Sequence, residues 1–159
     1  MNITIIAVGK LKEKFYRDAV AEYVKRLGRY CKITIHEVAD EQTPDKTSEI
    51  QDLAIKKKEA ERILKCIKTD AYVITLEIMG KKLDSVQFAR KIEELSIGGV
   101  SNITFVIGGS LGLHDEVSKR ANEKISFSDM TFPHQLMRVI LTEQIYRGFR
   151  IINHEPYHK

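Results

Sequence analysis

The chain has 159 residues, of which 43% are hydrophobic and 30% are charged. This size and composition are typical of one folded domain with its own core, so we expect a single domain over residues 1–159. The net charge of +4 is too small to indicate nucleic-acid binding by itself. No stretch approaches the roughly 18 apolar residues that span a bilayer, and the N-terminus lacks the basic segment of a signal peptide.

The cysteine and histidine spacings favour neither a metal site nor a disulfide. Cys31 and Cys66 match no metal-binding or redox pattern, and two unrelated thiols are typical of a reducing compartment, so we expect a cytoplasmic protein. His154 and His158 are four residues apart, but Pro156 between them breaks the helix that would place both on one face. We therefore expect no metal and no membrane partner.

Strand-like and helix-like segments alternate along the chain. The first is the β-branched run Ile3–Val8, as expected for a strand buried on both faces. Asp84 has the character of a helix N-cap, and Gly98 and Gly99 terminate that helix. The alternation predicts an α/β fold with a mostly parallel sheet flanked by helices. The predicted strands cover 3–8, 32–38, 71–78, 102–107 and 124–127, and the predicted helices cover 12–30, 48–67, 84–95, 115–122 and the segment after residue 133.

Two strands in the last third of the chain run directly into turns rich in helix-breaking residues. Strand 102–107 is followed by Gly108-Gly109-Ser110-Leu111-Gly112, and strand 124–127 by the Ser/Thr-rich segment 128–133. Ligands of open α/β sheets collect at the carboxyl ends of neighbouring strands. If these two ends lie side by side, the sequence predicts a small-molecule site there.

The glycine turn also admits a second interpretation. Residues 108–112 match the GxSxG nucleophile elbow of serine hydrolases, and acidic residues and histidines follow in the required order. An elbow needs its helix to begin at the serine, whereas the next helix cap here is Asp115. The other alternative is a glycine turn whose backbone approaches a ligand closely. Phosphate-loop and dinucleotide fingerprints match neither this turn nor the loop 9–12 after the first strand.

The final helix carries an apolar stripe and several arginines. Met137, Leu141, Ile145 and Phe149 recur every four residues, and Arg147 has an acidic partner four residues before it. Surface ion pairs and phosphate contacts are equally compatible with such arginines. The tail 153–159 combines Tyr, two His and Lys with a proline, which suits stacking and phosphate contact in RNA recognition. A frayed terminus without a role is the alternative.

Four segments together resemble one family. Residues 105–112, 126–134, 143–147 and 153–158 closely resemble the small SPOUT methyltransferases that modify a pseudouridine at N3 in large-subunit ribosomal RNA. The resemblance extends over essentially the whole chain, including the turn 8–11. It implies a trefoil knot at the C-terminal part of the sheet, S-adenosyl-L-methionine as cofactor, and a homodimer with the last helix in its interface. In that case the stripe 137–149 faces either a second subunit or its own core.

The resemblance also assigns roles to individual residues. It implies a deprotonated N3 that attacks an activated methyl group, with His134 as first candidate for the base or orienting group. We expect the assembled ribosome as the partner, because so small a protein suits a preformed target. An inactive RNA-binding protein of the same fold is the alternative. The implied cofactor residues are Leu76, Gly108, Phe127, Ser128, Asp129, Met130, Thr131 and Phe132. The implied catalytic residues are His134, Arg138, Tyr157 and His158. Of the arginines, Arg138 and Arg147 could contact phosphate. The implied RNA-binding residues are Arg147, Arg150 and His154.

Overall fold

Strands and helices alternate strictly along residues 1–159, which the computed structural model describes. The predicted α/β alternation is confirmed, with helix and strand ends shifted by a few residues. The third strand runs farther than predicted, to Lys82, with an irregularity in its pairing between Leu76 and Lys81. The elements are β1 (Asn2–Val8), α1 (Lys14–Leu27), β2 (Lys32–Val38), α2 (Glu49–Cys66), β3 (Tyr72–Lys82), α3 (Ser85–Ile97), β4 (Asn102–Ile107), α4 (Asp115–Arg120), β5 (Glu123–Ser126) and α5 (His134–Ile152).

The five strands form one sheet in the order β2-β1-β4-β3-β5, and every neighbouring pair is parallel. The expectation that β4 and β5 end side by side is wrong, because β3 lies between them. Hydrophobic periodicity identifies strands but carries no information on their order in a sheet. The turns after β3, β4 and β5 therefore share one edge of the sheet. The trefoil threading stays a prediction.

Two apolar cores cover the two faces of the sheet. Along β1, Ile3 and Ile5 belong to the larger core, which also takes in α1, α3 and α5, whereas Ile6 and Val8 belong to the smaller core with α2. Side chains alternate between the faces of a strand, so a strand buried on both faces must be apolar at nearly every position. The continuous apolar run of β1 follows from this position in the sheet.

The apolar stripe of α5 is buried within its own chain. Leu141 and Ile145 are 0% exposed and Phe149 is 8% exposed, all in the larger core. Of the two alternatives for this stripe, the core of its own chain is confirmed for these three residues, because α5 packs on α1 and α3 with Gly148 close to Ala89. A homodimer stays a prediction, and an α5 interface would use half-buried residues beside the stripe, including Leu136, Val139 and Ile140.

A buried arginine fastens the start of α5 to the sheet. Arg138 is 0% exposed, and its guanidinium donates one hydrogen bond to Glu37 Oε2 at 2.6 Å and another to the carbonyl oxygen of Gly9 at 3.0 Å. Burial lowers the pKa of Arg138, and the carboxylate of Glu37 opposes that shift. Moving a charge out of water costs several kcal/mol unless a partner offsets it. These three residues, called here the Arg138 clamp, join α5 to the carboxyl ends of β1 and β2.

The clamp predicts unequal effects for its two charged members. Glu37→Ala is expected to lower the free energy of unfolding by about 3 kcal/mol or more, because the guanidinium stays buried without a counter-ion. Arg138→Met is expected to cost less, because the Glu37 side chain is 37% exposed and can hydrate. Urea unfolding at neutral pH measures both variants, with Asp18→Ala in an exposed ion pair as the control that stays close to native. An Arg138→Met loss equal to or above that of Glu37→Ala contradicts the clamp.

Candidate active site

A cavity of about 410 Å³ lies at the carboxyl ends of β3, β4 and β5. Its volume falls within the range of small-molecule sites. Every residue that the sequence assigned to the cofactor lines it except Asp129, which instead forms an ion pair with Lys82 on β3. The lining residues from that set are Leu76, Gly108, Phe127, Ser128, Met130, Thr131 and Phe132, and His134 and Met137 of α5 complete one side.

The turn after β4 has no room for side chains. A Cβ on Gly108 would lie 3.0 Å from the carbonyl carbon of Gly112, and one on Gly109 would lie 3.1 Å from Oε2 of Glu59. Both distances are shorter than ordinary contacts of a real Cβ atom. Glycine at these positions therefore lets the turn fold back on itself and leaves its backbone groups at the cavity wall.

The geometry around Ser110 does not support a serine hydrolase. Its hydroxyl lies 3.4 Å from Oγ1 of Thr43, with no histidine as partner. The next helix begins only at Asp115, and His114 is its N-cap, with Nδ1 accepting a hydrogen bond from a backbone N–H. A nucleophile elbow requires a base next to the serine and a helix that starts there. Residues 108–112 therefore match the GxSxG pattern in sequence but do not form a nucleophile elbow in the structure.

His134 stands at the wall of the cavity, at the first position of α5. Its side chain is half-buried, and burial is the main cause that lowers its pKa below the ordinary 6.5. The positive charges of Arg138 and Lys12 lower the pKa further, whereas Asp40 opposes them. The imidazole is therefore neutral at neutral pH and has a lone pair available to accept a proton.

The side chain of Arg138 has no exposed surface in the folded chain. The sequence placed it in the catalytic group, but the clamp holds its guanidinium inside the protein, so a direct contact with phosphate has no support and a catalytic role stays a prediction. An exposed and a buried arginine look alike in a helical pattern. Arg138 lies one turn after His134, so it positions the imidazole through the helix that they share.

The other two predicted arginines are paired within the chain. The predicted pair between Glu143 and Arg147 is confirmed at 2.6 Å. Arg150 pairs with Glu155 and also donates to the hydroxyl of Tyr30 at 3.2 Å. Their charges thus hold the tail against α5 and against the turn that follows α1, and a role in RNA binding stays a prediction for both. His154, exposed just after α5 with a φ of 53°, also remains a predicted RNA contact.

The tail folds back along the last turns of α5 and is not frayed. The ring of Tyr157 packs edge-on against Tyr146 at 4.9 Å between centroids, with the guanidinium of Arg147 4.6 Å above it. Its hydroxyl donates to Glu143 Oε1 at 3.1 Å, and burial, followed by the negative charge of Glu143, raises the pKa of Tyr157 to about 12. Nδ1 of His158 lies 3.4 Å from Nη1 of Arg147.

This position separates the tail from the cavity. The tail contacts Glu143, Tyr146 and Arg147 of α5. These residues follow His134 by nine to thirteen positions, which is roughly 14 to 20 Å along the helix axis at about 1.5 Å per residue. Within one chain the structure does not bring Tyr157 and His158 together with His134. Sequence spacing could not show this, because the distance depends on how the tail turns after the helix.

Two carboxylates near the cavity were missed by the sequence analysis. Glu77, at the cavity wall, accepts hydrogen bonds from the hydroxyls of Thr75 at 2.6 Å and Ser118 at 2.8 Å. Glu59 is 5% exposed beneath the glycine turn, and burial raises its pKa. A polar residue at the end of a predicted strand was an available signal for Glu77. None existed for Glu59, which follows three lysines in a segment that resembles a solvated helix face.

The described side chains form no group of three or more His, Cys, Asp or Glu that could hold a metal ion. None of the helices combines the length and the apolar character that crossing a membrane requires.

A parallel α/β sheet with a small-molecule cavity is compatible with many activities, and similarity to known proteins identifies the class. A family model described as "Predicted SPOUT methyltransferase" matches residues 1–158. The chain is similar in fold to a probable methylase family protein from Haemophilus influenzae, with a TM-score of 0.52 and 15% identity, covering 99% of this chain and 70% of that chain.

Two relatives match over their full lengths. The chain is 64% identical over 159 residues to a Methanococcus vannielii protein named "Putative ribosomal RNA large subunit methyltransferase H", covering 100% of both chains. It is 61% identical, again over 100% of both chains, to a Clostridium tetani protein named "Ribosomal RNA large subunit methyltransferase H". The chain belongs to the SPOUT methyltransferase family, as the sequence predicted.

Proposed function

We propose that this protein transfers a methyl group from S-adenosyl-L-methionine to N3 of a pseudouridine in large-subunit ribosomal RNA, on the assembled ribosome. The observation that carries the proposal is the cavity at the ends of β3, β4 and β5, where the residues expected to hold the cofactor converge beside a neutral His134. Full-length relatives named for methylation of large-subunit ribosomal RNA support the substrate class.

The cavity suits this cofactor chemically. Of its 20 lining residues 11 are hydrophobic, which suits an adenine ring, and the glycine turn and the loop 126–132 offer backbone groups for hydrogen bonds. The carboxylate of Glu77 at the wall complements a cationic ligand. The cofactor supplies a methyl group already activated on a sulfonium. The protein then has to align that methyl group with N3 and to exclude competing orientations.

His134 is the group best placed to take the N3 proton. The imide nitrogen becomes a nucleophile only as it loses this proton, and the neutral imidazole can accept it at the cavity wall. The Arg138 clamp holds the first turn of α5 in place, so the imidazole has a defined position relative to the bound methyl group. His134 thus acts as the base or as the group that orients N3.

Tyr157 and His158 contribute to the site across a homodimer in this proposal. Within its own chain the tail contacts α5 roughly 14 to 20 Å beyond His134 along the helix axis, and its aromatic and imidazole groups suit contact with a base. In a two-fold dimer built on α5, the tail of one subunit can approach the cavity of the other. The site then consists of one subunit's cofactor cavity and its partner's tail.

The decisive test of the function is the modification state of ribosomal RNA. Deletion of the gene is expected to remove one methyl group from a pseudouridine of the large-subunit RNA, as mass mapping of nuclease fragments measures. Purified protein with S-adenosyl-L-methionine is expected to restore that mass on ribosomes from the deletion strain. An unchanged mass map after deletion contradicts the activity and favours a protein of this fold that binds RNA without turnover.

The lowered pKa of His134 predicts the pH profile of methyl transfer. As the pH falls, protonation inactivates the imidazole. The methyl-transfer rate is therefore expected to fall on the acidic side (the acid limb of the profile) at a pH below 6.5, the ordinary pKa of an imidazole. Asp40→Asn removes a charge that raises the pKa of His134, so the acid limb moves to lower pH. Single-turnover rates across the acidic range measure this shift, and Asp45→Asn in the same loop serves as control. A limb above 6.5, or a shift to higher pH in Asp40→Asn, argues against His134 as the base.

Mixed dimers test the origin of the tail. Gly108→Val blocks the cavity, and Tyr157→Ala/His158→Ala removes the tail groups, so each variant alone is expected to be inactive. Co-refolding them in equal amounts is expected to restore about a quarter of native activity, because half of the dimers pair an intact cavity with an intact partner tail in one of two sites. Methyl transfer to ribosomes measures the recovery. A mixture as inactive as its components shows that the tail acts within its own subunit.

A further inference from the structure

Several cations beside the cavity have no carboxylate partner. Lys10 and Lys12 are exposed in the loop between β1 and α1, and neither takes part in any ion pair of the structure. Arg17 of α1 likewise pairs with no carboxylate. By contrast, the three arginines of α5 that were predicted to contact phosphate or RNA each have a carboxylate partner: Arg138 binds Glu37, Arg147 binds Glu143 and Arg150 binds Glu155.

The loop that carries these lysines, residues 10–12 and here called the lysine loop, is held in place from three sides. The Arg17 guanidinium donates to the carbonyl oxygens of Leu11 at 3.1 Å and Lys12 at 2.7 Å. The backbone N–H of Leu11 donates to Glu37 of the clamp at 2.9 Å. The backbone N–H of Lys12 donates to Oε1 of Gln135 at 2.9 Å. The backbone is therefore ordered, while both ammonium groups remain free at the surface.

The lysine loop borders the reacting end of the cavity. Gln135, its partner on α5, directly follows His134, and the charge of Lys12 is close enough to lower the pKa of that imidazole. At Gly9, which precedes the loop, a Cβ would lie only 3.7 Å from Nε2 of His134. A nucleotide whose base reaches His134 therefore has its backbone within reach of this loop.

We propose that the lysine loop is the docking surface for the phosphodiester backbone of the RNA that carries the target base. This inference rests on the proposed function. Two free ammonium groups on an ordered loop suit phosphate oxygens, which position RNA without reading its sequence. Glu13 and Asp40 lie at the same edge and reduce the local charge, whereas Glu37 is already neutralised by Arg138. The lysine loop thus makes the contact with RNA phosphate that the sequence had predicted for the arginines of α5.

The test compares two double variants with the same loss of charge. Lys10→Ala/Lys12→Ala removes the docking cations, and Lys57→Ala/Lys58→Ala removes two exposed lysines of α2 as the matched control. Ribosome co-sedimentation at several salt concentrations gives the affinity, and steady-state methyl transfer gives kcat and the KM for ribosomes. Measurements at alkaline pH keep His134 neutral in all variants. Calorimetry with S-adenosyl-L-methionine checks that the cavity is intact.

Loss of the docking cations is expected to weaken ribosome binding and raise the KM about tenfold at low salt, and to reduce the slope of log Kd against log salt by about 2. The control, the kcat and the cofactor affinity are expected to stay native. Native ribosome affinity in Lys10→Ala/Lys12→Ala, or an equal loss in the α2 control, overturns the docking surface. Native protein that binds ribosomes through these lysines without methylating them overturns the proposed function instead.

Discussion

One buried cation governs the geometry of this protein. Arg138 carries its charge into a position with no exposure to water, and the chain has to bring Glu37 and the Gly9 carbonyl to it. Because these groups belong to α5, β2 and the end of β1, their meeting fixes how the last helix begins relative to the sheet. His134 precedes Arg138 by one helical turn, and the lysine loop directly follows Gly9. The candidate base and the proposed RNA contact are therefore both held in place by the Arg138 clamp.

The cavity obtains its shape from backbone and its polarity from a few side chains. The turn after β4 folds tightly only because Gly108 and Gly109 lack side chains, and the loop after β5 supplies the opposite wall. β3 ends between them and contributes Glu77, whose carboxylate two hydroxyls hold in place. Such a wall presents fixed dipoles and one negative charge to a ligand, an arrangement that aligns a reactive group and needs little rearrangement on binding.

The arginines of α5 show how structure divides charges between support and recognition. Arg147 and Arg150 lie between the helix and the tail, each against a carboxylate, and the ring of Tyr157 packs beneath one of them. A charge already paired and partly buried gains little from a new phosphate partner, because it must first give up its own. Cations without a carboxylate partner suit an anionic substrate better, and the two lysines of the lysine loop are such cations beside the cavity.

The sequence by itself determined the alternation of strands and helices, the cap at Asp84, the Glu143–Arg147 pair and the two turns, after β4 and β5, that line the cavity. These features depend on neighbours in the chain, on hydrophobic period and on turn chemistry, and local patterns report them. The individual cofactor residues came from the resemblance to a known family. Only the tertiary structure decided that β3 separates β4 from β5, that Arg138 is buried, and that the tail lies away from His134. Each of these depends on contacts between residues far apart in sequence, where burial and pairing follow from packing and leave no local pattern.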